Sequence, residues 1–87
     1  RFEMPDEDAR AELWERMLPR DAPLASSIDF EKLGTNYKFS GAHIRNAVLR
    51  AAYLAAAEGS AIAMEHLRRA ADLEAWEMGK VAGGHRD

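Results

Sequence analysis

Six consecutive residues, Ser40-Gly41-Ala42-His43-Ile44-Arg45, hold the densest chemistry in this 87-residue chain. A serine that caps a helix, a glycine that permits close backbone approach and basic residues in the opening turns together have the makings of an anion site. Free N–H groups and the positive end of the helix dipole already attract phosphate at such a place. The candidate contacts are Gly41, Ala42, His43 and Arg45. The plain alternative is a helix cap followed by solvated bases.

Other chemistry is poorly provided for. His43, His66 and His85 are far apart, with no His-x-x-x-His or Glu-x-x-His spacing, so no metal site is expected. Nothing sets Ser26, Ser27, Ser40 or Ser60 beside an activating base, and no catalytic residue is assigned. His66, between Glu65 and the Arg68-Arg69 pair, reads as a solvated helix residue. Trp14 and Trp76 read as core or bundle-edge residues rather than a ligand platform.

The elements that must position these residues follow from composition. Hydrophobic residues make up 47% of the chain, and 17 of them are Ala. Such small side chains suit close-packed helices. Only six residues are β-branched, too few for several strands, so an all-β fold is excluded. The chain has no Cys, which points to a reducing, cytoplasmic compartment. No apolar run approaches the roughly 20 residues that span a bilayer, so no membrane partner is expected. The net charge of −3 argues against nonspecific nucleic-acid binding. The sequence begins at Arg1 without Met, with no secretory leader, and reads as a piece of a larger protein.

Hydrophobic periodicity and caps predict an all-α fold, a small four-helix bundle over residues 6–79. Asp6 caps the first helix, whose stripe is Ala9, Leu13, Trp14, Met17 and Leu18, with Asp6/Arg10 and Glu12/Arg16 as i,i+4 pairs on the wet side. Pro19 ends it. Asp29 caps a short second helix from Phe30 to about Asn36. Ser40 caps a third from Gly41 to Glu58, stopped by Gly59. The fourth runs from about Met64 to Gly79, with Leu67, Ala70, Ala71, Leu73 and Trp76 as inward candidates. Residues 80–87 read as a flexible tail.

The third helix is apolar on two sides. Ile44, Ala47, Val48, Ala51, Leu54 and Ala55 share one face; Ala42, Asn46, Leu49 and Tyr53 lie opposite, flanked by Arg45 and Arg50. Either neighbouring helices cover both faces, or Leu49 and Tyr53 face something absent from this chain. Between Lys32 and Ala57 there is no acidic residue and four bases, so charge is segregated along the sequence.

The order Pro5-Asp6 with Arg10, Leu18-Pro19, Ile28-Asp29 with Leu33, Phe39-Ser40-Gly41-Ala42-His43-Ile44, and Ala51-Ala52 to Gly59 is followed by Ile62-Ala63-Met64-Glu65-His66-Leu67 with Ala70. Over residues 2 to 78 this pattern resembles the C-terminal helical lid subdomain of classical-type AAA (AAA+) ATPases. The resemblance implies a lid packed on an ATPase core domain, with the adenine of ATP (as Mg-ATP in the full-length parent) in the cleft between them. Gly41 and Ala42 would lie beside the nucleotide. Where several clades of that family place a γ-phosphate-sensing Arg, and the classical group an acid, this chain has His43. Arg45 is a rival phosphate partner, but on a helix it points about 200° away from His43. The family often has Thr where this chain has Ala63, so a cap on the fourth helix is missing. Residues 1–5 would be the tail of the core's last strand. Neighbouring subunits of a homo-hexamer are the further partners implied. No phosphate-binding loop is present, so the chain would contribute position rather than hydrolysis. The competing readings are a stand-alone protein–protein interaction bundle, which requires both faces of the third helix to be covered, and a helix-turn-helix DNA-binding module using Arg45, Asn46 and Arg50.

Overall fold

The computed structural model describes residues 5–83, with side chains described for residues 5–79. Four helices form a small all-α bundle in the order α1 (Glu7–Met17), α2 (Phe30–Asn36), α3 (Gly41–Glu58) and α4 (Met64–Gly83). The expected caps set three of the four starts. Asp6, Asp29 and Ser40 accept from the backbone N–H of Ala9, Lys32 and His43, at 2.9, 3.0 and 3.4 Å. Gly59 closes α3 in the left-handed region at φ 68°, which its lack of a Cβ permits. Leu18, held extended by Pro19 after it, ends α1.

The core centres on α3. Its Ile44, Ala47, Val48, Ala51 and Ala55 are buried against Trp14 and Leu18 of the α1 region and against Leu67, Ala70 and Ala71 of α4. Phe39 joins Trp14 and Tyr37 in a cluster of tilted rings with centroids 5.4–6.4 Å apart. The long connection between α1 and α2 is tied to the α3–α4 turn, where Ile62 N–H donates to Pro23 O and Ala25 N–H to Ile62 O, both at 2.9 Å.

α2 lies on α1 so closely that a Cβ on Gly34 would come within 2.6 Å of Glu7 O and 2.8 Å of Ala11 N. Only glycine fits without the helices parting. Arg10 reinforces the junction: its Nε donates to Gly34 O and one terminal nitrogen to Pro5 O, both at 2.7 Å. The first of these carbonyls belongs to the last turn of α2, which has no acceptor role left inside its own helix. Arg10 is therefore buried, not on the wet side beside Asp6, and no Glu12–Arg16 ion pair forms among the described residues.

Two expectations about α4 are corrected. The helix does not stop at Gly79 but continues to Gly83, so residues 80–83 are helical rather than tail. An interior Gly costs only about 1 kcal/mol relative to Ala, which does not stop a helix already propagating. The second concerns its inward face. Leu67, Ala70, Ala71 and Glu74 line it, whereas Leu73 and Trp76 are 41% and 59% exposed. The remaining tail residues 84–87, and residues 1–4 of the expected core strand, lie outside the described residues.

Candidate functional site

The opening turn of α3 stands as the sequence implies. Ser40 is extended (φ −74°, ψ 171°), its hydroxyl takes the His43 N–H, and its carbonyl takes the Ile44 N–H at 3.0 Å. That leaves the Gly41 and Ala42 N–H groups without an acceptor among the described residues, with Ala42 exposed. Packing among the described residues does not demand glycine at 41: the nearest atom of another element to an added Cβ would be Met17 Cε, 4.0 Å away.

His43 and Arg45 do not converge. Arg45 is exposed and has no ion-pair partner among the described residues. His43 turns toward α4, where its Nδ1 lies 2.7 Å from Glu74 Oε2. A carboxylate can only accept, so Nδ1 carries the proton and Nε2 is the nitrogen left without a partner among the described residues. Glu74 is 5% exposed and is also approached by Asn46 Nδ2 at 3.3 Å and Arg50 at 3.8 Å. A buried carboxylate with two hydrogen-bond donors and a guanidinium close by fixes the register of α3 against α4. Neither Glu74 nor Asn46 was marked by the sequence as a partner of His43; the contact spans 31 residues, beyond any local pattern.

A second polar cluster lies at the other end of the same helix pair. His66 is 3% exposed rather than solvated. Its Nδ1 accepts the Ala63 N–H at 2.9 Å, and its Nε2 lies 2.8 Å from Glu58 Oε1. With Ala63 at the cap position, His66 is the third residue of α4 and reaches back to the cap N–H, the role Glu or Gln plays in a capping box. His66 satisfies the Ala63 N–H, while its own backbone N–H, which a cap side chain at 63 would take, goes to Ala63 O at 3.0 Å. The hydrogen bond from His66, together with Arg69 at 3.3 Å, holds the Glu58 carboxyl below its usual value of 4.5, against the opposing effect of burial.

Glu58, Glu65 and His66 place their ligating atoms within 4.8 Å of one another. They do not suit a metal ion. Because Nδ1 accepts a backbone N–H, Nε2 must hold the ring proton and has no lone pair to give; a metal there would need an imidazolate. Arg69, 3.3 Å from Glu58 and 4.0 Å from Glu65, already supplies the positive charge.

Of the aromatic residues, Trp14 is fully buried with its indole N–H unpaired among the described residues, so it serves packing. Tyr37 donates to Asp72 Oδ1 at 2.6 Å, tying the α2–α3 connection to α4; burial and that bond push its pKa up to about 12. The outer face of α3 is not covered: Leu49 is 51% and Tyr53 79% exposed. Among the described residues no helix is long and apolar enough to cross a membrane. Scanned against known protein families the chain matches none, and no curated protein matches it in sequence.

Proposed function

We propose that this chain is the helical lid of an AAA-type ATPase, closing over ATP held by a separate core domain and relaying the nucleotide state to neighbouring subunits. The observation that carries the reading is the first turn of α3. Among the described residues it presents two unpartnered N–H groups, at Gly41 and Ala42, and no packing contact that requires Gly41 to be a glycine. In this role those amides meet the nucleotide, His43 offers Nε2 and Arg45 offers a mobile guanidinium to phosphate from a different side.

The outer face of α3 supports the same reading. A self-sufficient interaction bundle would cover both faces of its central helix, and this one leaves Leu49 and Tyr53 to a partner. A helix-turn-helix module packs its two helices on each other, whereas α2 packs on α1. The class test is the open reading frame upstream of Arg1. A G-x-x-x-x-G-K-[ST] loop within roughly 150 to 200 residues is the expected result, given ordinary domain sizes. A frame without such a loop contradicts the proposal.

A further inference from the structure

Two segments of this chain differ sharply in charge and share no residue. Residues 5–31 hold eight carboxylates against three arginines, and the segment from Lys32 to Ala57 holds four bases and no acid. On the acidic part, a groove of about 570 Å³ opens between α1 and the start of α2. Half-buried Ile28 and Phe30 form its floor, and Glu12, Glu15, Asp29 and Glu31 its rim. None of these carboxylates is in an ion pair among the described residues. On the basic part, Arg45, Leu49 and Tyr53 recur every four residues down the outer face of α3, all exposed.

We infer that these surfaces bind each other between copies: the Arg45–Leu49–Tyr53 stripe of one molecule docks in the Glu12/Glu15 groove of a second. Leu49 and Tyr53 bury against Ile28 and Phe30, and Arg45 meets carboxylates that have no cation of their own. A second copy is the occupant because the chain itself carries both halves of the match, in charge and in apolar area. Because the two patches differ, the contact is heterologous: a pair joined this way keeps one free groove and one free stripe between its two molecules, the arrangement from which rings or open chains grow. The inference does not rest on the lid reading, because the exposure of the outer face of α3 is itself observed. Ser40 to His43 play no part in it.

The test is the mass of the 87-residue chain by analytical ultracentrifugation. The wild type should exceed its 9.7 kDa monomer mass as concentration rises toward about 1 mM at low salt, and return to it near 0.5 M salt, where exposed charges are screened. Two blocked variants sharpen the point. Arg45→Glu/Tyr53→Glu loses the stripe, and Glu12→Lys/Glu15→Lys loses the groove; circular dichroism should show both folded, since all four sites are exposed. Each variant alone should stay monomeric. Their equimolar mixture should regain twice the monomer mass and no more, because only one stripe and one groove remain to meet. A wild type monomeric throughout overturns the inference and leaves the nucleotide reading standing. So does a blocked variant that associates as the wild type does. An upstream frame without a phosphate-binding loop would instead sink the lid reading and leave this contact untouched.

Discussion

Two histidine–glutamate pairs join the ends of the α3–α4 hairpin, and they are built inside out relative to each other. At the turn end His66 is buried and Glu58 sits outside; at the open end Glu74 is buried and His43 is about one-third exposed. The first imidazole spends both nitrogens, one on the Ala63 N–H and one on Glu58. The second spends Nδ1 on Glu74, and its Nε2 has no partner among the described residues. Burying the imidazole makes a joint. Burying the carboxylate makes a mount, which holds a ring in place while one of its nitrogens remains available to a ligand.

The sharpest way to break this contrast is to remove each member in turn. His66→Ala should cost about 2–3 kcal/mol, because it strands the Ala63 N–H, opens a cavity and leaves α4 uncapped; a thermal melt should fall by roughly 10–15 °C. Loss of under about 0.5 kcal/mol would show that His66 is not a joint. Glu74→Ala should come next at about 1–2 kcal/mol, through lost partners for His43, Asn46 and Arg50, read in the same melts. Glu58 bears on acid stability. Its folded pKa is lowered, so its contribution is complete above the ordinary value of 4.5 and is lost as pH falls through the lowered one. Glu58→Gln should therefore flatten the acid limb of a stability–pH profile, and an unchanged limb would count against the His66 contact. His43→Ala should have the smallest effect on stability, about 1 kcal/mol, since Glu74 loses its shortest partner but keeps Asn46 and Arg50. A destabilisation as large as that of His66→Ala would erase the distinction between joint and mount.

How much of this was legible in the sequence depends on the range of the contact. Helix starts written in local code, Asp6, Asp29 and Ser40 each three residues before the amide it caps, were readable to the residue. So was the Gly59 stop, where a left-handed residue is needed. The start of α4 was not, because its cap comes from a histidine that reaches back from inside the helix, and histidine between charged neighbours looks solvated. Arg10 misled in the same way: i,i+4 spacing from Asp6 suggests a surface pair, but the guanidinium turns inward to the carbonyls of Pro5 and Gly34 at the α1–α2 junction. Gly34, which lowers helix propensity in α2, is there for α1 to approach, and only the packing of the two helices reveals it. At the candidate site the opening turn was legible as a run of six residues. Glu74, thirty-one positions on, was not.

The central claim is that the first turn of α3 faces the phosphates of a nucleotide. Titrating the uniformly ¹⁵N-labelled chain with Mg-ATP into the millimolar range, and following every backbone amide by heteronuclear NMR, tests it most directly. The account predicts that the Gly41 and Ala42 amides move furthest, with His43 following, while Ala55 and Ser60 at the far end of α3 stay in place. Saturating shifts centred elsewhere on the bundle, or Gly41 and Ala42 amides that do not move at about 20 mM, would contradict it.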